Sequence, residues 1–375
     1  MPFTSIPVLD LGLARDPATK PEFLRQLRHA LMEVGFLYLK NVGIPADLIQ
    51  DVVEKGKAFF DMPVEEKLKI EMKNAPSFLG YSRLSTEITA GQVDHREQMD
   101  LCTEHPLPEP GSPLYRNLLA PNQWPSEASA PGFRRTYTDY MRRMGDMSIY
   151  FTSLIAEAIQ LPRDAFDRYF DEDQHHKLKI VKYPDMEELG HGSGGGQGAT
   201  PHRGLQVQNV AGEWIDCLPL DGTLVVAIGQ GMEALTQGVC VSTTHRVLSP
   251  RAGEGARFSI PFFQGVKLDA DFDNLETVGV GAVPDEVRAQ RRTVVERGGG
   301  ARVDDVEFTF RKGAVARTLG EATLRNRVKS HPDVGERWYP EILRAVREEQ
   351  AKARSEKTYE SAPSSTGRPQ PAVQA

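Results

Sequence analysis

Ser242-Thr243-Thr244-His245-Arg246-Val247, followed by Arg257-Phe258-Ser259-Ile260-Pro261-Phe262-Phe263, is the stretch whose reading decides the fold. Val247-Leu248 and Phe258 to Phe263 read as short strands. Alternate residues of a strand share a face, so Arg257 and Ser259 point the same way. The apolar run Ile260 to Phe263 directly after them argues for a buried setting, where a guanidinium needs a partner. His245 stands at a strand end between hydroxyl-bearing residues and Val247, a setting that suits an inward-pointing ligand or a core histidine bonded to a backbone carbonyl.

Working outward, Leu178 to Tyr183, Leu205 to Asn209 and Leu224 to Ile228 have the same short-strand character. Several short strands separated by turns point to a sandwich or jelly roll. The first half is different. Ser5 to Leu11 reads as a strand, and Phe23, Leu24, Leu27, Leu31 and Val34 fall at helical spacing, stopped by Gly35. Phe36-Leu37-Tyr38-Leu39 is a buried strand, Ala46 to Phe60 a helix opened by Pro45, and Pro63-Val64-Glu65-Glu66 a further helical turn. A Pro-rich loop from His105 to Pro125 precedes a long helix, Pro131 to Ile159. Pro332 to Ala353 includes another helix, and Ser355 to Ala375 has the composition of a disordered tail.

The 375 residues carry a formal charge of −7, which argues against a general nucleic-acid binder. No apolar run approaches the length of a membrane span, and no secretory signal is read at the N-terminus. Cys102, Cys217 and Cys240 are odd in number, far apart and at no zinc spacing, which implies reduced thiols in the cytoplasm. Gly190-His191-Gly192-Ser193-Gly194-Gly195 fits a dinucleotide-loop pattern, but no helix pattern follows, so it reads as a loop, with His191 solvated.

Four pieces, in order, resemble the isopenicillin N synthase-like branch of the iron(II)- and 2-oxoglutarate-dependent oxygenases. They are Ile6 to Leu11 with Val34 to Pro45 and Phe59 to Pro63; Gly80-Tyr81 with Arg96 to Leu101; Gly212 to Asp216 with Gly222 to Gly229; and the opening stretch. The resemblance implies an α+β chain with a double-stranded β-helix (jelly-roll) core flanked by helices. It implies an N-terminal region over 1–120, the oxygenase domain over 121–350 and a tail over 351–375. It implies iron(II) as cofactor, 2-oxoglutarate as co-substrate, and O2 and a small metabolite as the other reactants, handled by a monomer. His245 matches the family's second metal histidine, Arg257 and Ser259 its Arg-x-Ser clamp on the distal carboxylate of 2-oxoglutarate, and Tyr183 a co-substrate tyrosine. Where the family has Asn two residues before that tyrosine, this chain has Val181, and a structural tyrosine is the competing reading.

The family's His-x-Asp motif and the strand after it have no counterpart before Gly204-Leu205-Gln206-Val207. A strand pair and its turn need about 15 residues, and they are absent, with the break expected near Gly198. Three readings follow. The chain is an oxygenase damaged in its metal site; or His202, in His202-Arg203-Gly204, serves as a ligand in the manner of two-histidine iron halogenases; or the fold is kept for non-catalytic binding.

Overall fold

The structure, a computed structural model, describes residues 2–89, 92–170, 175–185, 204–271, 283–297 and 316–360. β1 (Val8–Asp10) leads through a 3-10 turn to α1 (Lys20–His29), which runs on as a π-helical turn, Ala30–Val34. The apolar spacing read in the sequence thus spans both, and Phe23, Leu27 and Leu31 are fully buried. Each such side chain contributes about 1.5–3 kcal/mol of transfer free energy. The turn ends on Gly35 at φ +70°, and a Cβ there would lie 2.4 Å from both Thr243 Oγ1 and the Val241 carbonyl oxygen. Conformation and space both demand glycine.

Next come β2 (Phe36–Lys40), α2 (Ala46–Phe60) and α3 (Val64–Leu68), then β3 (Gly80–Ser82), the small hairpin β4 (Ile88–Thr89) and β5 (Gln92–Val93), and β6 (Glu97–Cys102). α4 (Phe133–Ala158) follows, close to the expected helix, and then β7 (Lys177–Tyr183). The last part holds β8 (Leu205–Gln208), β9 (Trp214–Asp216), β10 (Thr223–Ala227), α5 (Gln230–Leu235), β11 (His245–Val247), β12 (Arg257–Ser259) and β13 (Phe262–Phe263). It ends with α6 (Asp285–Arg297), α7 (Leu319–Ser330), α8 (Pro332–Trp338) and α9 (Pro340–Glu360).

α9 carries helix into the segment read as a tail from Ser355, because Ala351-Lys352-Ala353-Arg354 and Glu356-Lys357 are strong helix formers. Residues 361–375 lie outside the described residues.

The jelly-roll core is divided, among the described residues, into three larger sheets. β1 and β10 flank β2; β11 and β9 flank β8; and β12-β7-β6-β3 form the largest, with β13 also on β7. The regions expected on either side of residue 120 therefore share two sheets, since β2 pairs with β10 and β6 with β7. The largest sheet has unlike faces. Tyr81, Met99, Leu101, Leu178 and Ile180 face α2 and α4 in one apolar cluster with Phe59, Phe133 and Tyr137. By alternation, Gln98, Asp100, Lys177, Lys179, Tyr183, Arg257 and Ser259 occupy the other face.

Candidate functional site

The register of β12 on β7 sets Arg257 directly opposite Tyr183 and Ser259 opposite Val181. The three residues expected to hold 2-oxoglutarate thus come together on the polar face of the largest sheet. The Arg257 guanidinium lies over the Tyr183 ring, 5.3 Å from its centroid. Gly204, at the entrance to β8, packs against it: a Cβ there would sit 3.1 Å from Arg257 Cδ and Nε.

Arg257 Nη1 is buried and, among the described residues, has no hydrogen-bond partner. Burial lowers the Arg257 pKa from its ordinary value, since desolvation disfavours the charged form. A buried guanidinium nitrogen without an acceptor is costly to keep, and a carboxylate is its natural complement through two parallel hydrogen bonds. The residues present therefore fit the distal carboxylate of 2-oxoglutarate.

The metal half is different. His245 begins β11, which is an edge strand among the described residues, opposite Val207. The side chain is exposed rather than inward-pointing, with its ring edge against Phe36 at 5.2 Å between centroids. Among the described residues β11 pairs with β8 alone, and nothing described covers this histidine. Nδ1 lies 3.2 Å from the Thr243 carbonyl oxygen, which can only accept. That contact assigns the proton to Nδ1 and leaves the Nε2 lone pair available, the arrangement a metal-bound histidine needs. Yet among the described residues no group of three or more His, Cys, Asp or Glu side chains is placed to hold a metal ion. One ligand without a carboxylate is not an iron(II) site. His202, the other expected ligand, lies outside the described residues, as do His191 and the glycine-rich run.

Sequence reading missed the remainder of the polar face. Glu87 is buried and pairs with Arg96 at 2.8 Å and Lys179 at 3.3 Å, and His331 Nε2 lies 3.6 Å from it. Burial pushes the Glu87 carboxyl up, but the neighbouring Lys179 and Arg96 charges outweigh it and hold it well below the usual range. Asp100 is held by Arg327 of α7 at 3.2 Å and by Lys179 at 3.7 Å. The signal was present in Gln98 and Asp100, polar residues alternating with Met99 and Leu101, but it looks like an ordinary solvated strand face.

Comparison with known proteins gives these features a family. A model described as "non-haem dioxygenase in morphine synthesis N-terminal" matches residues 6–127, and that of the 2OG-Fe(II) oxygenase superfamily matches residues 197–266. The chain is 64% identical to the 2-oxoglutarate-dependent dioxygenase frbJ of Dothideomycetidae sp. (strain 11243), over 94% of this chain and 97% of that protein. That alignment is 368 positions long but takes in 94% of the 375 residues here, so it includes positions that the relative has and this chain lacks. The chain is 30% identical to homoarginine-6-hydroxylase 2-ODD-C23 of Glycine max, over 73% of this chain and 89% of that protein. Among solved structures, a full-length Neurospora crassa protein in complex with alpha-KG superposes with a TM-score of 0.58 at 25% identity, over 71% of this chain and 86% of that one. The membership is unambiguous at this level of identity: the chain belongs to the iron(II)- and 2-oxoglutarate-dependent oxygenases, a family that uses iron(II) and 2-oxoglutarate with O2 on small-molecule substrates.

Proposed function

We propose that this polypeptide keeps the co-substrate half of a 2-oxoglutarate-dependent oxygenase intact, in Arg257, Ser259 and Tyr183, while its iron half is incomplete. The observation that carries this reading is the buried, unpartnered Arg257 Nη1 beside Tyr183. His245 and His202 are the candidate metal ligands that remain, without the family's carboxylate. When bound, the iron of this family supplies the activation of O2; a site short of one ligand and its charge binds the metal weakly. The expected consequence is reduced turnover by the chain as written. The unmatched positions in the 64%-identical alignment support a lost segment.

The homoarginine-6-hydroxylase relative supports a substrate of the amino-acid class. The net charge of −7 supports a protein that does not bind nucleic acid, and no helix among the described residues is long and apolar enough to cross a membrane. Three buried free cysteines support a reducing compartment such as the cytoplasm.

Anaerobic calorimetry tests the reading. 2-Oxoglutarate should bind without metal, Arg257→Ala should abolish the binding, and Arg257→Lys should keep the charge but lose the bidentate fork. Equal affinity in wild type and Arg257→Ala would remove the assignment. Adding iron(II) should give no stoichiometric chelate charge-transfer band; a strong band lost in His202→Ala would show instead a working two-histidine site.

A further inference from the structure

Among the described residues, ten buried side-chain atoms lack a hydrogen-bond partner, and five of them lie on, or face, one side of one sheet: Arg257 Nη1, Gln98 Nε2, Asp100 Oδ1, Lys177 Nζ and His331 Nε2. Chance scatter through a fold does not gather such atoms, because each is costly to bury alone. Arg257 is accounted for by the co-substrate. The other four gather around the polar face of the sheet: Gln98, Asp100 and Lys177 stand on it, Arg327 of α7 reaches Asp100, and His331 lies just past the end of that helix. Gln98 and Asp100 are 1% and 2% exposed.

The register places these groups along one line. Gln98 lies opposite Val181, Asp100 opposite Lys179 and Cys102 opposite Lys177, all on the strand that carries Tyr183. Asp100 is thus four residues along β7 from the Arg257–Tyr183 pair, about 13 Å at the usual strand rise. A substrate that reached from the co-substrate anchor to these groups would span that distance. The unmet needs along this line are of two kinds. Lys177 Nζ and Gln98 Nε2 are donors without an acceptor, and Asp100 Oδ1 is an acceptor without a donor. The charges already present do not meet them: Arg327 and Lys179 are engaged with the other Asp100 oxygen, and Arg96 with Glu87.

We infer that this seam recognises the head group of the substrate, and that the head group is that of an α-amino acid, with Lys177 taking the carboxylate and Asp100 the ammonium. A zwitterion supplies both missing partners at once. This inference rests on the proposed oxygenase reading, since the seam is useful only in line with a co-substrate at Arg257.

The test uses the full chain, titrated calorimetrically with the protein amino acids, L-ornithine and L-homoarginine, each with and without saturating 2-oxoglutarate. At least one amino acid should bind, and the amine made by decarboxylating it should not. Asp100→Asn and Lys177→Met should each weaken that binding by about tenfold or more, as expected when a charge partner is lost. Both variants should keep wild-type affinity for 2-oxoglutarate, which shows that they are folded. Binding that both variants leave unchanged would overturn the inference, as would a wild type that takes 2-oxoglutarate but no amino acid. Failure of 2-oxoglutarate to bind the wild type would sink the oxygenase reading instead, and the titrations without it would still report on the seam.

Discussion

Replacing Arg257 by Met should stabilise the ligand-free protein while abolishing its response to 2-oxoglutarate. The guanidinium is buried with Nη1 unpartnered, and its charged form is disfavoured there. An unsatisfied buried donor costs about 1–3 kcal/mol. Met keeps the length of the stem that packs on Gly204 and Tyr183 and removes the polar head. Some loss of the cation–ring contact, about 0.5–1 kcal/mol, offsets the gain. A net rise of about 1–2 kcal/mol raises Tm by a few degrees at this chain length. In wild type, 2-oxoglutarate at a hundred times its Kd adds about 2.7 kcal/mol by mass action. The variant should show none of that. Differential scanning fluorimetry with and without 2-oxoglutarate therefore gives two changes of opposite sign from one substitution. A ligand-free Arg257→Met protein that melts below wild type would show the guanidinium to be structural, and the anchor assignment would fail.

Acid should destabilise the fold from a predictable pH. Burial holds His176 neutral, with its pKa lowered to about 4, and His331 likewise, to about 3. Neither costs stability above the unfolded value near 6.5. Below it the unfolded chain takes up protons that the fold refuses, so stability falls with pH until the folded values are reached. For His176 alone the loss is of order 3 kcal/mol by about pH 4. Urea titrations at successive pH values measure the slope, and a flat profile between about pH 6.5 and 5 would contradict the burial. Gly204→Ala would set a Cβ 3.0 Å from the Leu248 carbonyl oxygen and 3.1 Å from Arg257, so 2-oxoglutarate affinity should fall several-fold with a smaller change in Tm. Inserting a His-x-Asp hairpin of the family pattern between Gly198 and Ala199 should raise Tm and create tight iron(II) binding. If the chain as written is the more stable of the two, the short form is adapted and the damaged-site account is wrong.

The helices at Ala46–Phe60 and Phe133–Ala158 were legible because one apolar face packs on the largest sheet and leaves a regular spacing. Strands β7, β8, β10 and β12 were legible from short apolar runs. α7 was not, because Arg327 turns inward to Asp100 and interrupts the apolar pattern formed by Leu319, Leu324 and Val328. The buried polar seam was illegible for the same reason: Asp100 and Arg327 look solvated until a fold places one against the other. The pairing of Arg257 with Tyr183 followed from no local pattern, since register is set by the whole sheet. The exposure of His245 depends on what lies beside β11, which no residue near it in sequence reveals.

The sharing of sheets across residue 120 bears on how such a gene can change. Phe36–Lys40 is the central strand of its sheet, held on one side by Val8–Asp10 and on the other by Thr223–Ala227. Thr243 Oγ1 donates to the Val34 carbonyl at 2.7 Å, tying the approach to His245 to the π-helical turn. Exchanging one half for that of a distant relative would set side chains that were not selected together against each other across both shared sheets. Recombination at this boundary is therefore disfavoured, and the two halves are expected to have been inherited together. Conversely, two separately made fragments, 1–120 and 121–375, would carry complementary edges and could find each other by completing the interrupted ladders.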